Sequence, residues 1–221
     1  MDELTIENNK VLTEKDKVLL DMFQIDRDNP EAVAIFLEKA DGVMDGFREL
    51  MELCGEDPKR DGLLDTPYRV LKAYGEYTEG YREDPKRHLE KIFDVPHKEL
   101  VLVKDIEFYS MCEHHFAPFF GVAHVGYIPN ERITGLSKIA RMVEGYAKRF
   151  QVQERMTTEI ISAIEEVLEP AGVMVVMEAK HMCMCGRGVR NTSSSTTTSS
   201  VRGIFANDHR ARDEFLSLIR R

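Results

Sequence analysis

Two periods of apolar residues divide the chain. Val33, Phe36, Leu37, Ala40, Val43, Phe47, Leu50 and Cys54 recur at helical spacing behind Asn29-Pro30-Glu31, which has the form of a helix start. Cys54 falls on that stripe, so the pattern predicts a buried core thiol. A breaker-rich loop from Gly55 to Leu64 precedes a second helix that begins at Thr66-Pro67 and carries Val70, Leu71, Tyr74 and Tyr77 on one face, with Arg69 off it. From Leu100 the period shortens. "LVLVKDIEFY" and "FFGVAHVGYI" are β-branched and aromatic runs of strand length, and "SMCEHHFAP" connects them. Two more helical stripes follow, Leu136, Ile139, Val143, Tyr146 and Phe150, then Met156, Ile160, Ile164 and Leu168. "PAGVMVVMEAKHMCM" reads as a turn and a strand, "TSSSTTTSS" as an ordered extended segment, "RGIFA" as a short strand, and residues 209 onward as a helix with Phe215, Leu218 and Ile219. Residues 1–28 are charged and irregular, a loose arm or peripheral helix.

Composition adds limits to this outline. With 221 residues, 43% hydrophobic and 31% charged, the chain suits one globular domain with an N-terminal extension. No apolar run approaches the ~20 residues of a membrane-spanning helix, so no membrane association is expected. "MDELTIENNK" resembles neither a secretory signal nor a transit peptide, which makes the expected location cytoplasmic. A net charge of -9 argues against a general nucleic-acid binder, although a local cationic pocket is compatible with it. The cysteines at 54, 112, 183 and 185 are too few for a disulfide scaffold; beside histidines they point to metal or catalysis.

Cys112-x-x-His115 places a thiolate and an imidazole where one ion can take both, and His181, Cys183 and Cys185 would share a face if they alternate in a strand. Spacing alone leaves two arrangements open. Cys112, His115, Cys183 and Cys185 could close a structural zinc site, or one position could stay free for chemistry. His114 and His181 favour the open arrangement, because a structural site has no use for spare imidazoles.

Further along, "TGLSKIARMVEGY" sets Ser137, Lys138 and Arg141 at a helix start, away from the apolar stripe, where free N–H groups and the dipole favour an anion. Arg187 sits between two glycines in "CGRGVR", where backbone can approach a ligand. Gln153 and Glu154 open the next helix; a carboxylate there suits the dipole, and could equally take hydrogen bonds from a ligand. There is no P-loop motif. A small anionic substrate beside a metal fits better than a nucleotide switch.

In order, "DTPYRVLKAY", "SMCEHHFAPFFGVAHVGYIP", "GLSKIARMVEGYAKRFQVQERMT", "PAGVMVVMEAKHMCM", "GRGVR" and "EFLSLIR" resemble the GTP cyclohydrolase I family, from about Pro30 to the C-terminus. The resemblance implies an α+β tunnelling fold (T-fold), antiparallel sheet backed by helices, with residues 29–98 as a helical region, 99–221 as the catalytic region and 1–28 as an arm. It implies a homodecamer with active sites at subunit interfaces, and leaves room for a regulatory protein partner. The reaction implied is GTP and water to 7,8-dihydroneopterin triphosphate and formate, the first step toward folates or tetrahydrobiopterin. Cys112, His115 and Cys183 would hold one Zn2+ per subunit, with a water completing the set and attacking C8 of the base. His114 would protonate N7 and His181 the ribose ring oxygen; Glu154 and Gln153 would anchor the guanine edge, and Ser137 would bond near the ribose. Lys138, Arg141, Arg187 and Arg69 would hold the triphosphate. Cys185 matches no ligand position of the family, and would be a neutral neighbour, a disulfide partner or a competing ligand. Two rival readings are a nitrile reductase of the same fold, with a Cys nucleophile and a nicotinamide, and a non-catalytic zinc-stabilised scaffold.

Overall fold

The computed structural model describes residues 11–220. The chain divides into two compact units, Met1–Tyr77 and Thr78–Arg221. In the first, α1 (Glu14–Met22), α2 (Pro30–Leu53) and α3 (Thr66–Tyr77) pack on a small core of Leu12, Leu20, Val33 and Leu37. The arm expected over residues 1–28 thus contains a helix from Glu14, and its first ten residues lie outside the described residues. A reciprocal capping box starts α1: Asp16 N–H donates to the Thr13 hydroxyl, and Thr13 N–H to the Asp16 carboxylate at 2.9 Å. The Asn29 cap and Pro30 start α2 as the sequence predicts, with Ala32 N–H donating to Asn29 Oδ1 at 3.1 Å.

The second half of the α2 stripe departs from expectation. Val43 is 46% exposed, Leu50 52% and Leu53 86%, and Cys54 is exposed at the helix end, not a core thiol. Helical spacing says which residues share a face, but not that anything covers that face.

In the second unit the elements run β1 (Ile92–Asp94), β2 (Val101–Cys112), β3 (Ala117–Ile128), β4 (Arg132–Thr134), α4 (Leu136–Ala147), β5 (Phe150–Gln151), α5 (Gln153–Leu168), β6 (Gly172–His181), α6 (Met182–Cys185), β7 (Thr196–Gly203), α7 (Ile204–Asn207) and α8 (His209–Ile219). β1 and β4 form a small ladder of their own, while the main sheet has the order β5-β2-β3-β6-β7. All its pairings are antiparallel except β2 with β5. Alternation along β3 and β6 sends Phe119, Ala123, Val125 and Tyr127, with Val173, Val175 and Met177, into the core shared with Ile139, Met142 and Val143 of α4 and Met156, Ile160 and Ile164 of α5. Met174 and Val176 form a separate cluster with Phe205 and Phe215. The α+β class read from the sequence is what the chain builds.

Local departures have local causes. Leu136 is 61% exposed instead of lying on the α4 stripe, and Phe150 belongs to β5 because the helix ends at Ala147. "RGIFA" is not a strand. Gly203 ends β7 at φ +59°, where a Cβ would lie 2.2 Å from Ala171 O, and Ile204–Asn207 turns helical behind it. In β2 a bulge between Val103 and Ile106 puts Asp105 at φ +59°, and its N–H donates to Nδ1 of His124 at 3.1 Å.

His124 is 6% exposed. Burial pushes its pKa down, outweighing the Asp105 and Glu178 carboxylates that pull it up. The neutral ring is the one that can accept the Asp105 N–H. Stability from this group is therefore full above about pH 6.5, the ordinary histidine value, and is lost as pH falls below it, since the unfolded chain binds the proton that the folded ring refuses. Thermal melts between about pH 7.5 and 5.5 should show a smaller fall in Tm for His124→Gln than for the parent.

Candidate functional site

The expected connection between the two long strands shrinks to a four-residue turn, because β2 runs to Cys112 and β3 begins at Ala117, paired with it. Phe116 closes the turn at φ +50°; its N–H donates to Cys112 O at 2.9 Å, and its ring stacks on Phe150 at 4.5 Å. Cys112 is buried at the end of the sheet and His115 is exposed at the turn. Glu113 ties the loop down: its N–H donates to Gln151 O at 3.1 Å, and its carboxylate pairs with the Arg155 guanidinium. Arg155 also donates through Nε to Gln151 Oε1 at 3.1 Å, and to Phe150 O at 3.0 Å. The Arg155 hydrogen bond holds the Glu113 carboxyl below the usual carboxylate range. Glu113, Gln151 and Arg155 had no assigned role in the sequence. They meet only through a turn, a two-residue strand and a helix, and no spacing announces that.

Cys183 arrives by a route the sequence misread. The strand stops at His181, and Met182–Cys185 is one helical turn. Residues two apart in a helix point about 200° away from each other, so Cys183 and Cys185 do not share a face. The ligand atoms of Cys112, His115 and Cys183 all lie within 4.8 Å of one another, and Cys185 is not in the group. Three donors leave a fourth tetrahedral position to something other than protein. Burial, then the neighbouring Cys112 thiol, push the Cys183 thiol pKa up. A thiol so raised favours its protonated form unless a cation joins it, and two sulfurs with an imidazole suit a soft or borderline divalent metal.

Two further imidazoles stand beside the group. Nδ1 of His114 is 3.8 Å from the Cys112 sulfur. His181 is half-buried, its ring parallel to that of Phe119 at 4.6 Å and 3°, with Nε2 2.8 Å from Gln153 Oε1. Burial lowers the His181 pKa, against a smaller pull upward from Glu154. Gln153 opens α5 with its side chain turned inward and the residue only 1% exposed, so its amide is taken up inside the fold. Glu154, next to it, is exposed.

Of the cationic residues, Lys138, Arg141 and Arg187 lie on the same unit. Gly135 caps α4 without a side-chain bond, and Lys138 N–H donates to Gly135 O at 2.8 Å; Ser137 and Arg141 are exposed there and Lys138 is half-buried. Arg187 is exposed after α6, and its charge acts to lower the Cys183 thiol pKa. Arg69 lies in the N-terminal unit, 3.8 Å from the Asp65 carboxylate.

An open Cys–His–Cys group with titratable neighbours belongs with metal-dependent hydrolases, since structural zinc sites close their shell with four protein donors. Known proteins narrow that class. A family model described as GTP cyclohydrolase I matches residues 43–220. The GTP cyclohydrolase 1 of Geobacillus kaustophilus (strain HTA426) is 59% identical over 174 residues, covering 78% of this chain and 93% of the relative. That of Bacillus mycoides (strain KBAB4) is 58% identical over 174 residues, covering 78% and 92%. Among solved structures, an archaeosine synthase QueF-Like in the apo form aligns with a TM-score of 0.40 at 17% identity, over 47% of this chain and 93% of that one. The chain belongs to the GTP cyclohydrolase I family, a family of metal-dependent hydrolases with the tunnelling fold.

Because Arg155 anchors the turn that carries Cys112 and His115, Arg155→Ala should weaken metal binding by about 10–100-fold. Competition against a chromophoric chelator measures this, with circular dichroism to check that the fold is kept.

Proposed function

We propose that the chain is a zinc-dependent GTP cyclohydrolase I, converting GTP and water to 7,8-dihydroneopterin 3'-triphosphate and formate. The observation that carries this reading is the Cys112–His115–Cys183 group with two imidazoles beside it, His114 and His181, that it does not include. The donor set favours Zn2+ over hard cations, and zinc held there would supply a water activated near neutral pH for attack on C8 of the guanine.

The chain's own groups do the rest. His114, beside Cys112, gives a proton to N7 as the imidazole ring opens, and C8 leaves as formate. His181 protonates the ribose ring oxygen so that the sugar opens, with Phe119 limiting how its ring can turn. Glu154, exposed at the start of α5, accepts the guanine N–H groups, with Gln153 beside it at the same edge. Ser137 bonds near the ribose. Lys138, Arg141, Arg187 and Arg69 hold the triphosphate.

The working form is a homo-oligomer, the decamer of the family, with residues 99–221 as its catalytic region. Supporting this, among the described residues β7 has a strand on one side only, β2 meets β5 over just two residue pairs, and Val43, Leu50 and Leu53 leave an apolar patch on α2. Further copies would cover such edges and patches. A cytoplasmic location suits a site that needs its thiols reduced, and all four cysteines are free.

Given GTP, the zinc-loaded protein should release formate and build up pterin absorbance in equal amounts. His114→Ala and His181→Ala should each cut turnover by ~10²–10⁴-fold with zinc still bound. Full turnover in both variants would sink the proposal.

A further inference from the structure

The two ends of the Gln153 amide cannot be exchanged. Its nitrogen lies 3.1 Å from Met177 O, 3.0 Å from Thr196 O and 3.1 Å from Thr198 Oγ1. Carbonyl oxygens only accept, so a flipped amide would press its own oxygen against two of them in a buried place. Oε1 therefore faces His181, 2.8 Å from Nε2. An amide oxygen also only accepts, so Nε2 must carry a hydrogen.

The surroundings hold this arrangement from several elements. Met177 lies on β6, and Thr196 and Thr198 lie on β7. Thr198 Oγ1 is 2.7 Å from Thr157 Oγ1, which in turn donates to Gln153 O at 2.7 Å. Phe119 lies parallel against the imidazole. A neutral imidazole in water exchanges its hydrogen between the two nitrogens, whereas here the protein chooses one.

We infer that Gln153 is a positioning residue that fixes His181 as the Nε2–H tautomer, so that Nδ1 is the nitrogen through which His181 passes protons. The inference deepens the proposed function and rests on it for the destination of the proton. The step balances: the imidazolium gives its Nδ1 hydrogen to the ribose ring oxygen, and the ring returns to neutral with Nε2–H unchanged. It also gives a use to two threonines of the "TSSSTTTSS" run. Their backbone and hydroxyl oxygens orient the amide that orients the histidine.

The test uses the zinc-loaded full chain labelled with 15N-histidine, with the His181 signals identified by their loss in His181→Gln. Long-range 1H–15N spectra of the neutral ring should show a hydrogen on Nε2 and a bare Nδ1. In Gln153→Met, of similar length but without the acceptor, the ring should lose that single tautomer. Its kcat should fall about tenfold or more, up to the ~10²–10⁴ that a positioned acid contributes in full, with KM for GTP near the parent value. A parent ring bearing its hydrogen on Nδ1 would overturn the inference, as would an unchanged tautomer or kcat in Gln153→Met. If that variant fails to fold, the parent spectrum still decides. The expected tautomer in a parent that makes no formate from GTP would overturn the proposed function but not the tautomer assignment.

Discussion

The site depends on β3 being paired along both sides. On one side Cys112 lies opposite Ala117, and on the other His181 lies opposite Phe119. Two positions near the start of one strand therefore fix where both arms of the site end, and the turn after β2 and the helical turn after β6 then meet. A slip of one residue in either ladder would turn every side chain to the wrong face. Phe119 guards against it: fully buried, it contributes roughly 1.5–3 kcal/mol by staying out of water, which a slipped strand would forfeit.

A buried histidine and a half-buried one show how one residue type serves different ends. His124 accepts a backbone N–H through Nδ1, while His181 meets an amide oxygen through Nε2. Both rings are held below the ordinary histidine pKa by burial. His124 sits behind a bulge, where its bond completes the strand backbone. His181 stands at a strand end beside Cys183, and its second nitrogen is left for chemistry. Around them the balance of charge is local: an acidic chain concentrates Ser137, Lys138 and Arg141 at one helix start, and holds Glu113 as an anion against Arg155.

Much of this was legible in the sequence, because periodicity reports faces. The long strands, the helices beginning near Leu136 and Gln153, the C-terminal helix and the α+β class follow from apolar spacing. The two Cys/His clusters follow from residue types and spacing, while the choice of Cys112, His115 and Cys183 among them follows from the family resemblance. What spacing cannot report is where a period stops. The strand toward Cys185 breaks at His181, so Cys185 leaves the group; "RGIFA" breaks at Gly203; and the α2 stripe runs on past the residues that cover it, leaving Cys54 exposed. Partners brought together by tertiary contact alone were also invisible. Nothing in "QVQERMT" says that Gln153 turns inward to His181, or that Arg155 reaches back to Glu113.

The bulge near Asp105 has a consequence for the rest of β2. Ahead of it the strand keeps one phase with β3, behind it another, and the left-handed residue takes up the difference. The stretch from Ile106 to Cys112 is thereby uncoupled from whatever precedes Val103. Val101–Val103 and Ile106–Cys112 each keep their own pairing with β3, and the cysteine at the far end holds its place opposite Ala117.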